Sequence, residues 1–361
     1  MINIKINGND IQNIVRYPVI KQSKSFLNIP VHLDETVFTL RDDNGSLLPF
    51  SQNSIIDNVM ENNDIEIYDN NNLVYTGILN EQIIDPANEK IITFDCRTIL
   101  KKFIKNRVNY KTWLRGDGTT TYPTGEYSLK GDGYYYETPI YAIWHYLRLL
   151  GYEDYIYTDD IDNIHSVLST ANVWIQIDTS FENYTPHEIL NYICKKFHIF
   201  IYVDELGNIR FLHDQDIIDT IDITDTFYNK IESKIKLEKF TDYNIQLLDD
   251  SFRTAYDNSD YGAEYRTEYI EKYELLRGII YIYDSITADY LGEMAIDNFY
   301  RDRLSLIIKY DLSILNFNLR KAIKITVSDR GWFNKIFEPY VFIRDYNNRA
   351  SGNIIETFET L

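Results

Sequence analysis

The chain has 361 residues, of which 44% are hydrophobic. That is enough for about two to three domains with real cores and too apolar for a disordered chain. Its 36 lysines and arginines stand against 55 acidic residues, a net charge of −19, which argues against a surface that grips nucleic acid through its phosphates.

No apolar run approaches the ~18–20 residues of a membrane span. Met1 to Asp10 alternates polar with apolar and lacks a signal-peptide core, so the expectation is a protein made in the cytosol and not exported by that route. Cys96 and Cys194 both sit in apolar patterns and read as buried free thiols. Tyrosine is abundant, with 31 residues. A/T-rich coding bias and broad protein–protein contact both explain it.

Ile2, Ile4 and Ile6 alternate, and Asn7-Gly8 is a tight-turn signal followed by a partner strand over Ile11 to Val15. Val31 to Arg41 reads as a strand. Residues 64 to 108 form a regular block: Ile65 and Ile67, then Leu73 to Leu79 across a polar turn, then Ile91 to Cys96. Gly77 inside a strand suggests a bend that curves a sheet. Arg97 to Lys105 reads as a short helix. Residues 1–105 are therefore expected to form one antiparallel β-domain, a barrel or a sandwich.

Residues 115 to 139 are rich in Gly and Thr, with Gly-Asp-Gly twice. They lack the G-x-x-x-x-G-K-S/T of a phosphate loop and the acidic spacing of a calcium loop, and read as a hairpin insertion or contact loop. Thr138-Pro139 starts a helix near 139–150, with Ile140, Ile143, Trp144 and Leu147 on one face and Gly151 as its stop. His145 beside that face reads as structural. Asp159, Asp160 and Asp162 read as a solvated loop, and Val173 to Ile177 as a strand.

Thr185, Pro186 and Glu188 spell a capping box for a helix near 186–198, with Tyr184 against Ile189 as its staple. Ile189, Leu190, Ile193, Cys194 and Phe197 share its inner face. A hairpin follows over 199–213, with Gly207 in its turn. Residues 106–230 are thus expected to be α+β. Residues 231–361 read as β-rich, with a helix near 287–304 and a polar, Tyr-rich run over 249–274 that is expected to be extended surface.

Catalytic patterns are missing. No G-x-S-x-G elbow occurs, and the second histidine of an H-E-x-x-H helix after His187 and Glu188 is replaced by Asn191. No catalytic, cofactor-binding or metal-binding residue is assigned, and no cofactor is expected. Two further readings stay open: a cell-wall-degrading enzyme with paired carboxylates, and a carbohydrate- or receptor-binding protein with a platform at Trp113, Tyr134, Tyr135 and Tyr136.

The stretch Tyr75-Thr76-Gly77-Ile78, the strand Ile91-Ile92-Thr93-Phe94-Asp95-Cys96-Arg97 and the hairpin from Ile201 to Phe211 resemble the baseplate or tail-tip hub proteins of tailed bacteriophages. The helix at 287 to 304 with its following strands is similar to the last part of that family. Leu319-Arg320-Lys321-Ala322 departs from it, standing where the family often has Gly-Asp.

The resemblance implies an α+β, mainly β fold: two tube-like antiparallel β-barrel domains with smaller α+β domains between and beside them. It implies a homotrimer that joins a sixfold tail tube to a threefold tip or spike at the distal end of the tail of a phage or phage-like particle. Its partners there would be tail tube, baseplate, tip and tape measure proteins. DNA would pass through without specific binding, and no membrane insertion would occur. If part of the negative charge lines the lumen, the wall would repel phosphates and keep DNA moving. The chain ends at Leu361, without the extension that carries a peptidase or receptor-binding module in some relatives.

Overall fold

Ile2, Ile4 and Ile6 point inward along β1 (Ile2–Ile6), the period-2 pattern of a half-buried strand. Asn7 and Gly8, both at positive φ, turn the chain into β2 (Asn9–Ile11). Then come β3 (Ile14–Ser23), β4 (Glu35–Arg41), β5 (Asp64–Asp69), β6 (Asn72–Asp85) and β7 (Asn88–Arg97). The computed structural model describes residues 2–23, 35–101, 136–177, 186–213, 219–223, 230–235, 242–247, 252–255, 265–270, 274–276, 280–282, 285–300, 304–310, 321–327, 332–337, 339–347 and 355–360. The start of the strand expected from Val31, and most of the helix expected after Arg97, fall outside these.

β6 is long because it serves two layers. Its first half pairs with β5 and its second with β7, and the pairing to β7 shifts between Leu79 and Glu81. Gly77 precedes that shift. A Cβ there would lie 2.5 Å from the Arg97 carbonyl oxygen and closer still to the Tyr75 hydroxyl, so only glycine lets β6 approach β7 at this corner. The bend lets Ile4, Ile6, Ile65 and Ile67 share one core with Phe38, Leu40, Ile92 and Phe94. Phe38 and Phe94 stack at 5.3 Å. Each such side chain stabilises the fold by about 1.5–3 kcal/mol when fully buried.

The middle of the chain holds α1 (Pro139–Leu149), α2 (Thr158–Thr170), β8 (Ile175–Ile177), α3 (Pro186–Lys196), β9 (Ile199–Val203) and β10 (Ile209–His213). Thr138 stands at the N-cap position of α1, but its hydroxyl makes no capping bond and instead lies 2.9 Å from His165 Nδ1. Gly151, at φ 85°, ends the helix. Its N–H donates to the Arg148 carbonyl, and that of Tyr152 donates to Leu147.

α2 overturns the expected loop at Asp159, Asp160 and Asp162: the acids lie in its first turns, where the helix dipole favours them, and Ile161, Ile164 and Leu168 form its buried stripe. The cap and staple expected for α3, Thr185 and Tyr184, lie outside the described residues. Ile189, Leu190, Ile193 and Cys194 of that helix, and Phe197 just after it, are fully buried. They join Ile140, Ile143, Leu147, Ile201 and Phe211 in a second core, which also takes Ile78 and Leu100 from before it and Ile280, Ile282 and Leu291 from after it.

The remaining strands are β11 (Asp219–Ile223), β12 (Lys230–Ile235), β13 (Asp242–Leu247), β14 (Phe252–Ala255), β15 (Tyr265–Ile270), β16 (Glu274–Leu276) and β17 (Ile280–Ile282). Then follow α4 (Ser285–Tyr300), β18 (Leu304–Tyr310), β19 (Lys321–Val327), β20 (Trp332–Phe337), β21 (Pro339–Asp345) and β22 (Ile355–Thr360). The Tyr-rich run 249–274 contributes β14 and β15.

Eleven strands form one sheet, ordered β12-β18-β22-β21-β3-β4-β7-β6-β5-β1-β2. Two groups of four within it share a pattern. Taken in chain order, β12-β18-β22-β21 runs first, second, fourth, third, and so does β3-β4-β7-β6. The groups meet where β21 pairs antiparallel with β3, from Val341 opposite Ser23 to Asp345 opposite Val19. Pairing is antiparallel throughout the described sheets except between β11 and β19 and between β13 and β15. The fold is α+β and mainly β. Among the described residues no sheet closes into a barrel: the long sheet is open at β12 and β2, because β6 bends from one layer to the next instead of meeting a first strand again.

Candidate functional site

The four strands β3, β4, β7 and the outer half of β6 place alternate residues on two faces. Ile20, Phe38, Leu40, Ile92 and Phe94 face the core. The other set stays largely open. Val37, Ile91, Thr93, Asp95 and Arg97 are half-buried, and Arg16, Arg41, Glu81 and Ile83 are exposed. The register sets these residues beside one another: Glu35 opposite Arg97 and Lys21, Val37 opposite Asp95, and Thr39 opposite Thr93. The Thr39 and Thr93 hydroxyls lie 3.0 Å apart.

This open face carries both signs of charge, with one more basic side chain than acidic. Basic Arg16, Lys21, Arg41 and Arg97 stand against acidic Glu35, Glu81 and Asp95. The centre of the face is Arg97, whose guanidinium donates to Glu35 Oε2 through Nη1 and to Asp95 Oδ2 through Nη2 at 3.1 Å. Asn80 Nδ2 donates to the same Asp95 oxygen at 2.6 Å and fixes it. Partial burial disfavours the Arg97 charge, but the bonds and charges of the two carboxylates outweigh it and hold the group above its ordinary pKa.

A second arginine cluster lies between α2 and β10. Arg210 Nε donates to Asp160 Oδ2 at 2.8 Å, Nη2 donates to Oδ1 at 3.2 Å, and the Phe211 N–H donates to Oδ2 at 3.1 Å. Arg210 Nη1 reaches Asp204 at 3.3 Å, and the Tyr157 ring lies 3.9 Å from the guanidinium. Here again burial opposes the charge and the carboxylates prevail.

The buried titratable groups hold no catalytic arrangement. Glu137 Oε2 lies 3.5 Å from His145 Nε2, and neither Glu137 oxygen has a hydrogen-bond partner among the described residues. Burial pushes the Glu137 carboxyl up to about 8, and burial with the Arg148 charge pushes His145 down to about 4. The contact is therefore between a neutral acid and a neutral imidazole, although its distance alone would suggest an ion pair. Cys96 and Cys194 are buried free thiols, and burial raises the pKa of each. Among the described residues no three metal-ligating side chains converge. Glu188 is exposed on α3, and Asn191 is buried. Tyr136, expected in an exposed aromatic platform, is buried. Trp113, Tyr134, Tyr135 and nearly all of the 115–139 loop lie outside the described residues.

The open-face cluster has a signal in the sequence only as alternation. Glu35, Val37, Thr39 and Arg41 alternate with buried residues, as do Ile91, Thr93, Asp95 and Arg97.

No protein-family model matches the chain, and no curated protein matches it. Two solved structures are similar from end to end. One is the 43 kDa tail protein of prophage MuSo2 from Shewanella oneidensis, with a TM-score of 0.62 at 12% identity over 100% of this chain and 98% of that one. The other is the tail protein from Neisseria meningitidis MC58, with a TM-score of 0.60 at 10% identity over 99% of this chain and 95% of that one. The chain shares the fold of these two tail proteins.

Proposed function

We propose that the protein is a structural hub of a phage or phage-like tail, with an architectural and not an enzymatic role. Three copies form a ring at the distal end of the tail, join the sixfold tail tube to a tip or spike protein, and let DNA pass. The tape measure protein and the other baseplate proteins are its further neighbours. Residues 1–105 and 231–361 hold the two tube units, and 106–230 the α+β part.

The observation that carries this reading is the shared strand order of β12-β18-β22-β21 and β3-β4-β7-β6, joined in tandem at the β21–β3 pair. Two like units per chain, taken three times, give six positions around a ring, which matches a sixfold tube. The tandem joint also supplies the pattern for the contact between copies. Within the chain, the third strand of one unit pairs with the first strand of the next. The same step between copies would set the outer half of β6 beside β12 of a neighbour, a head-to-tail contact that closes into a ring. Whole-chain likeness in fold to two tail proteins supports the same reading.

Antibody labelling of tailed particles from the source culture tests it. The expected result is label confined to the distal end of the tail, next to the tube terminus. Label along fibres, or none on intact particles, would remove the hub reading.

A further inference from the structure

We infer that Glu35 and Asp95 mask Arg97 so that the open face of the β3-β4-β7-β6 sheet passes DNA without holding it. The inference rests on the hub reading for its setting, since it needs the open face to line the channel.

The layering decides which face turns inward. One side of the four strands is covered by β1, β5 and the segment 42–63, whose Leu47 and Ile56 enter the core. When such sheets join edge to edge around a ring, the covered side needs the larger circumference. The open side is left for the channel.

A channel wall for a polyanion has two ways to avoid adhesion. It can carry excess negative charge, which the chain as a whole has in abundance. It can instead occupy the guanidinium best placed to seize a phosphate. The open face follows the second course. Arg97 is the side chain there best suited to seize a phosphate, because a guanidinium binds such groups in a bidentate fork. Both arms of its fork are already occupied, one by Glu35 and one by Asp95, and Asn80 holds Asp95 in place. Arg41 is tied to Asp43 at 2.9 Å. Lys21 stands opposite Glu35 in the register. A phosphate approaching Arg97 therefore meets a guanidinium whose charge two carboxylates already offset, well within the Debye length of about 8–10 Å.

The variants Glu35→Gln and Asp95→Asn, singly and together, test this on the full chain, with a short DNA duplex as probe and fluorescence anisotropy as readout at low salt. The parent protein should not retain the duplex. The double variant should bind it roughly fivefold or more tightly than the parent, and the gain should fade as salt rises toward about 200 mM. Adding Arg97→Gln should return binding to the parent level. Glu35→Gln alone changes a partly exposed side chain, leaves the core intact, and should give a smaller gain in the same direction. Folded variants with no gain overturn the masking, and so does a gain that survives Arg97→Gln. This assay uses the chain itself, whereas the hub reading stands or falls on the particle labelling. Loss of the distal label would remove the hub and leave the binding result intact. Absent gain with distal label present would remove the masking and leave the hub.

Discussion

Two arginines, each held between two carboxylates, sit in different surroundings. Arg210 joins α2 to the β9–β10 hairpin through Asp160, whose side chain is 3% exposed and also accepts the Phe211 N–H. Arg97 lies on the open face of a sheet, where its partners Glu35 and Asp95 are 24% and 15% exposed. The chemistry is similar and the energetics are not. Removing one member of a buried pair strands the other charge in a poor solvent. Removing one member of a partly buried pair leaves the other within reach of water and counterions. The two guanidiniums are equally covered, 17% exposed at Arg97 and 16% at Arg210, so the difference between the clusters rests on the deeply buried Asp160.

The comparison breaks most easily at Asp160. Asp160→Ala should cost about 3–5 kcal/mol, read as a lowered urea midpoint by the fluorescence of the buried Trp144 and Trp174. A loss under about 1 kcal/mol would erase the distinction between the clusters.

Next is Glu137, which is buried without a compensating charge. Its folded pKa is raised to about 8, so its contribution to stability is full below its ordinary 4.5 and is lost as pH rises through 8. His145 is depressed to about 4, so its contribution is full above its ordinary 6.5 and is lost as pH falls through 4. Between 4.5 and 6.5 the two slopes cancel and stability should be flat, declining on either side. Glu137→Gln should remove the alkaline loss, a gain of about 2–4 kcal/mol at pH 8, and stability should then rise with pH between 4.5 and 6.5. Denaturation midpoints measured from pH 4 to 9 would show whether that slope emerges.

Tyr157→Leu strips the aromatic ring from Arg210 and should cost about 0.5–2 kcal/mol. A double-mutant cycle with Arg210→Met isolates that share, and zero coupling would show that the ring merely lies nearby. The smallest effect belongs to Arg97→Gln, which should change stability by less than about 1 kcal/mol. A thermal melt showing several times that loss would make Arg97 a structural staple like Arg210.

The local grammar of the chain was legible. The helix starting at Pro139 with its stop at Gly151, and the α3–β9–β10 unit, follow from turn residues and from apolar spacing at 3.6 or 2. The corner at Gly77 followed from a glycine inside a strand. α2 is hidden in the sequence because Asp159, Asp160 and Asp162 look like a solvated run. The helical spacing of Ile161, Ile164 and Leu168 is the stronger signal. What local patterns could not carry was pairing at a distance. Nothing around Asp160 announces Arg210, fifty residues on. Nothing in β21 names β3 as its neighbour, because strand pairing is decided by which edges remain free after the nearer pairs have formed. Glu35 and Asp95 on either side of Arg97 were visible as alternation, but only register turns alternation into a cluster.

The pair formed by β21 and β3 also has a history within each molecule's life. On a ribosome, β3 leaves the exit tunnel early, and the strand that covers its outer edge is made only after more than three hundred further residues. At about 5–20 residues per second that interval is of the order of half a minute. Throughout it the newborn chain shows an unpaired strand edge, the kind of surface that recruits other chains into aggregates. A chain that stops short of Pro339 keeps that edge for good. Such truncated chains should aggregate more readily than the full chain, so messages cut near their end would yield waste.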